Sequence, residues 1–68
     1  MIKFISTINQ HGKKIHISID KIMIIYEGNS NECSILLRDE ELITVKESAE
    51  SILSKIRTFN FIDGGTPL

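Results

Sequence analysis

Leu42-Ile43-Thr44-Val45-Lys46-Glu47-Ser48-Ala49-Glu50-Ser51-Ile52-Leu53-Ser54-Lys55-Ile56-Arg57-Thr58-Phe59 carries two structural periods in succession, and the change between them sets the fold class. Leu42 to Val45 is short and rich in β-branched residues, the composition of a strand. After Lys46 the apolar residues Ala49, Ile52, Leu53, Ile56 and Phe59 fall at three- and four-residue spacing, which lines one face of a helix. Ser48 is placed to cap that helix. Glu50 stands in its first turn, and Lys55 and Arg57 lie toward its end, where the helix dipole favours each charge. The spacing predicts a helix from Ala49 to Phe59.

Upstream the period is two. Ile2, Phe4 and Ile8 alternate with Lys3, Ile5 and Thr7, then Asn9-Gln10-His11-Gly12-Lys13 breaks the pattern. Gly12 can take the positive φ of a hairpin loop, and Ile15, Ile17 and Ile19 resume alternation with His16 and Ser18 pointing the other way. Ser18 to Ile22 reads as a short turn in which the Asp20 carboxylate accepts a backbone N–H. Ile22 to Tyr26 and Cys33 to Leu37 are strands apolar on both faces, separated by the loop Gly28-Asn29-Ser30-Asn31, and Arg38-Asp39-Glu40-Glu41 is a polar turn into the fifth strand. The expected fold is α+β: a small antiparallel β-sheet meander followed by one C-terminal helix packed on one face. It occupies residues 1–60 as a single domain, with 61–68 a short flexible tail. A strongly twisted small sheet can also curl into a partial barrel.

A chain of 68 residues gains stability from disulfides, metal or oligomerisation. Cys33 is the only cysteine, so an internal disulfide is excluded and a reducing compartment is favoured. His11 and His16 have no second cysteine to complete a zinc set, so no metal or cofactor is expected. Oligomerisation remains. One helix covers one face of a sheet, yet Met23, Ile25 and Leu36 lie opposite Ile22, Ile24, Ile35 and Leu37, and Ile5 and Ile43 are candidates to join that second face. Full exposure forfeits about 1.5–3 kcal/mol per such side chain. Self-association as a dimer or higher oligomer through Met23, Ile25, Leu36 and Ile43 is therefore expected. Phe61 and Ile62, beyond the helix, either pack at the sheet edge or join that contact. Free strand edges offer a further route to pairing with a copy or a partner.

Formal net charge is −1, so nothing global recruits nucleic acid or an anionic membrane. Lys3, Lys13, Lys14 and Lys21 make the first third basic, whereas Glu27, Glu32, Asp39, Glu40, Glu41, Glu47 and Glu50 make the middle acidic. Such clusters are either solvated faces and turns or a means of electrostatic matching between copies. His11, Lys13, Lys14 and His16 form a candidate site for a small anionic ligand, beside the plainer reading of an exposed polar hairpin. No phosphate-binding glycine loop is present, and Cys33 in an apolar strand behaves as a small hydrophobe, so no catalytic residues are assigned and an enzyme is not expected. Met1-Ile2-Lys3-Phe4 lacks the basic segment and apolar run of a signal peptide, and no stretch approaches the roughly 20 apolar residues of a membrane span. The expectation is a cytoplasmic protein.

Over roughly residues 1 to 57 the order of features resembles the small FlbD-like family, found in flagellar gene clusters and known in swarming motility as SwrD. The resemblance lies in Met1-Ile2-Lys3, the loop with Gly12, Ile17-Ser18-Ile19-Asp20-Lys21-Ile22, and above all Val45-Lys46-Glu47-Ser48 leading into Glu50, Ile52, Leu53 and Ile56. Family members usually carry Leu-Asn-Gly in the first loop and a glycine before the fifth strand, where this chain has Asn9-Gln10-His11-Gly12 and Asp39-Glu40-Glu41. The resemblance implies a non-enzymatic accessory protein acting through protein–protein contacts, with no catalytic residues to carry over. The alternative is a phage- or mobile-element-encoded binding protein that inhibits a host defence protein, or sequesters a small anionic or nucleotide ligand as an oligomer. A regulatory nucleic-acid binder is disfavoured by the acidic middle of the chain.

Overall fold

The computed structural model describes the backbone of residues 3–64 and the side chains of residues 3–59. Strand β1 (Phe4–Ile8) pairs antiparallel with β2 (Lys14–Ser18), and a 3-10 turn, Ile19–Lys21, leads into β3 (Ile22–Asn29), β4 (Glu32–Leu37) and β5 (Leu42–Val45), an antiparallel meander. Helix α1 (Ala49–Gly64) closes the chain and packs against β1, β3 and β4. The fold is α+β. It comprises a two-stranded and a three-stranded antiparallel sheet and is not closed into a barrel.

The two sheets meet at one corner. An antiparallel bridge links Asn9 to Val45, with the Gln10 N–H donating to the Thr44 carbonyl at 3.1 Å and the Lys46 N–H to Ile8 at 2.8 Å. Their inner faces supply Ile5 and Ile17 from the hairpin and Cys33, Ile35, Leu37 and Val45 from the sheet, while the helix adds Ala49 and Ile52. Ile15, Ile19, Ile22, Ile25, Ile43, Ile56 and Phe59 pack around this core.

The helix begins where its sequence predicts. Ser48 Oγ accepts the Ser51 N–H at 3.1 Å and the Ser48 carbonyl accepts the Ile52 N–H, also at 3.1 Å, so side chain and backbone both satisfy the first turn. Its end differs from expectation, because the backbone stays helical past Phe59 to Gly64. The Asp20 turn also differs: it is the backbone carbonyl of Asp20, not its carboxylate, that binds Arg38 Nε, at 2.7 Å.

A larger correction concerns the sheet faces. β3 and β4 pair Ile22 with Leu37 but Ile24 with Leu36, so Met23 is an extra residue in a bulge. One extra residue reverses every later alternation. Ile25, paired with Ile35, therefore turns to the core, and Ile24 turns outward with Leu36. Ile5, expected as a candidate for the second face, is fully buried in the core, and Ile43 packs against that core.

Candidate functional site

The bulge at Met23 builds a row of aliphatic side chains across the outer face of the three-stranded sheet. Ile24 pairs with Leu36, and Leu36 with Leu42. Leu36 is half-buried, but Leu42 keeps 59% of its surface exposed and Ile24 40%. Tyr26, Ser34 and Thr44 form the next row, with Ser34 Oγ and Thr44 Oγ1 3.3 Å apart. Tyr26 is 49% exposed and Met23 51%. Single exposed apolar residues are ordinary, whereas a row in register across adjacent strands with an aromatic beside it is a candidate contact surface.

Of the residues predicted to form that surface, Met23 is exposed and Leu36 contributes to the outer row. Ile25 and Ile43 lie on the inner face, packed against the core. The side chains of Phe61 and Ile62 lie outside the described residues. Sequence alternation missed Ile24, Tyr26 and Leu42. Leu42 was visible in principle, because it follows the polar turn and alternates with Ile43.

The candidate anion residues lie along the exposed hairpin, His11 and Lys13 at its tip and Lys14 and His16 on β2. Asn9 Oδ1 accepts the N–H groups of His11 and Lys13, each at 2.9 Å, which shapes the tip. Lys14 and His16 follow on β2, exposed, with His16 Nδ1 2.8 Å from Ser6 Oγ. His16 also lines an open cleft of about 460 Å³ between hairpin and sheet, whose walls are mainly Phe4, Ile15, Ile17, Leu37 and Ile43, with Ser18 and Lys21 at its margin.

Glu47 holds the helix to the hairpin. Thr7 Oγ1 donates to its Oε1 at 2.6 Å, Ser51 Oγ donates to its Oε2, and Lys55 Nζ lies 2.9 Å from each oxygen. Lys55 also donates to the Ser6 carbonyl at 2.6 Å. Burial alone would raise the Glu47 pKa, but the hydrogen bonds from Ser51, Thr7 and Lys55, together with the lysine charge, outweigh it and hold the carboxyl below its ordinary value. Cys33 is 1% exposed, and burial, then the Glu47 and Glu32 carboxylates, push its thiol pKa up, the opposite of what a nucleophile requires.

Among the described residues no group of three or more His, Cys, Asp or Glu is placed to hold a metal ion, and no helix is long and apolar enough to cross a membrane. No protein-family model, curated protein or solved structure matches the chain.

Proposed function

We propose that this chain is a non-enzymatic interaction protein that works through protein–protein contacts as a homo-oligomer in the cytoplasm, like the FlbD-like flagellar and swarming accessory proteins it resembles. The observation that carries the proposal is the outward row Ile24, Leu36 and Leu42, in register across the sheet while the inner face is already packed by hairpin and helix. Two features support the resemblance. Val45-Lys46-Glu47-Ser48, its most distinctive segment, contains both the helix cap and the carboxylate that ties helix to hairpin. The turn before β5 holds Glu40 at φ 71°, a conformation that suits glycine, where family members usually carry one. The non-enzymatic reading rests on Cys33, whose thiol is buried and held protonated.

Sedimentation of the chain over a micromolar concentration series tests this function. The wild-type chain self-associates, and Leu42→Asp, which charges the most exposed position of the row, remains folded and sediments as a monomer. A wild-type monomer at high micromolar concentration refutes the self-associating reading. The cleft between hairpin and sheet favours a second reading, sequestration of a small ligand with an apolar body and an anionic group near Lys21. A nucleotide or acyl carboxylate that raises the melting temperature would select it.

A further inference from the structure

Strand β2 has an open backbone edge, and the hairpin register identifies its groups. The Ile19 N–H donates to the Lys3 carbonyl at 2.9 Å and the Asn9 N–H to the Lys13 carbonyl at 2.8 Å, so bonded pairs fall at alternate positions between them, Ile5 with Ile17 and Thr7 with Ile15. The intervening pairs, Ser6 with His16 and Ile8 with Lys14, point their N–H and C=O groups away from each other. On β1 the outward carbonyls are taken, Ile8 by the Lys46 N–H at 2.8 Å and Ser6 by Lys55 Nζ at 2.6 Å. On β2 the N–H and C=O groups of Lys14 and His16 and the N–H of Ser18 have no protein partner among the described residues.

The outer edge of β3 is interrupted, since its pairing with β4 shifts register twice, and the helix packs against that strand. By contrast, β2 is regular along all five residues and borders the apolar cleft of about 460 Å³. Ile15, His16, Ile17 and Ser18 all line that cleft, although successive side chains of a strand point to opposite faces, so the cleft runs along the strand's edge. Leu37 and Ile43 line it from the sheet. Backbone donors and acceptors repeating at every second residue beside an apolar trough match an extended chain, whose own N–H and C=O groups meet the edge while alternate side chains enter the trough. From Asn9 to Ser18 the hairpin contains no acidic residue, so Lys13 and Lys14 favour an acidic residue at one end of that chain. At the other end Asp20, Lys21 and Arg38 lie together, and charges of both signs select nothing.

We propose that β2 is the docking edge for an extended segment of a partner protein, which adds as a further strand beside Lys14–Ser18 and places apolar side chains from alternate positions in the cleft. The proposal rests on the reading of this chain as a protein-contact module and names the kind of partner. It is separate from the outer sheet face through which copies associate.

The probe is the peptide acetyl-Glu-Val-Thr-Val-Thr-Val-Glu-amide, titrated to millimolar concentration into the isotope-labelled full chain and followed by amide resonances. Glutamate at both ends lets either strand direction place one near Lys14. Binding shifts the amides of Lys14, His16 and Ser18 and slows their hydrogen exchange by about tenfold or more. An added strand presents N–H groups to β2 from alternate residues only. N-methylation of the valines and N-methylation of the threonines therefore differ: one set weakens binding by about tenfold or more, and the other leaves it near the unmodified value. His16→Pro, which removes an outward donor at an edge position that tolerates proline, weakens binding about tenfold more than His16→Ala, which keeps that donor. If circular dichroism shows the proline variant unfolded, the methylated peptides decide alone. Amide shifts that spare β2, or two methylated sets that bind alike, overturn the proposal. Octanoate that shifts the cleft amides where the peptide does not assigns the cleft to a small ligand and overturns it as well. So does loss of self-association in a folded His16→Pro chain without peptide binding, which assigns the edge to a second copy. Peptide binding at β2 by a wild-type chain that sediments as a monomer supports the docking edge while refuting self-association.

Discussion

Gly12 and Glu40 occupy equivalent positions in two turns with the same backbone hydrogen bonds. In the first, Asn9 N–H donates to Lys13 O at 2.8 Å and Gly12 N–H to Asn9 O at 2.9 Å. In the second, Leu37 N–H donates to Glu41 O and Glu40 N–H to Leu37 O, both at 2.9 Å. Both residues have positive φ, 82° for Gly12 and 71° for Glu40. Only glycine adopts this conformation without a steric cost, so the second turn is strained where the first is not. Glu40→Gly should therefore stabilise the chain by about 0.5–1 kcal/mol, and Gly12→Ala should destabilise it by about 1 kcal/mol. Urea denaturation of both variants checks the pair. Stabilisation by Gly12→Ala, or a loss on Glu40→Gly, would contradict the shared geometry.

Gly28 is required for a different reason. It lies where the β3–β4 pairing shifts register between Glu27 and Asn29, and a Cβ there would sit 2.5 Å from the Glu32 carbonyl oxygen. The obstruction is backbone, so a rotamer change cannot relieve it. Gly28→Ala should cost roughly 1–3 kcal/mol, the range of overpacking. A change in the urea midpoint no larger than that of an exposed-site control such as Ser30→Ala would show that the approach is looser than drawn.

Cys33 should behave as part of the core. At 1% exposure and with its thiol held protonated, it should resist an aromatic disulfide reagent in the folded chain and react in full once urea unfolds it. Complete labelling within seconds under native conditions would mean that β4 opens far more readily than its packing implies.

The elements were legible in the sequence because local chemistry encodes them. Gly12 announced the hairpin, and Ser48 with the spacing of Ala49, Ile52 and Ile56 announced the helix. The faces of β3 were not legible, because nothing in Ile22-Met23-Ile24-Ile25 marks Met23 as the extra residue. The bulge arises only when Leu36 and Leu37 are set against them. Arg38 to Glu41 read as a turn, but its positive φ at Glu40 was not legible, because glutamate rarely adopts that conformation. Half of the expected contact surface moved to the core with Ile25 and Ile43, and Ile24 and Leu42 took their place.

Glu47 entered the sequence reading as one acidic residue of the middle of the chain and as part of Val45-Lys46-Glu47-Ser48, but its bond to Thr7 was not legible, since Thr7 lies forty residues away and comes within reach only once the helix meets the hairpin. Its carboxylate, 17% exposed, is more stable as an anion in the folded chain than in the unfolded one, so its pKa falls on folding. For a depressed carboxyl, the added stability is fully present above the unfolded pKa, near 4.5, and is lost as the pH falls from there through the lower folded value. The chain should therefore lose stability below about pH 4.5. Glu47→Gln should lose roughly 1–3 kcal/mol at pH 7, where Lys55 no longer meets a charge, and should show a shallower decline in acid. Denaturant midpoints of the two chains at half-unit steps from pH 7 to pH 3 would measure both effects. Parallel curves would mean that the carboxylate contributes no proton linkage to folding.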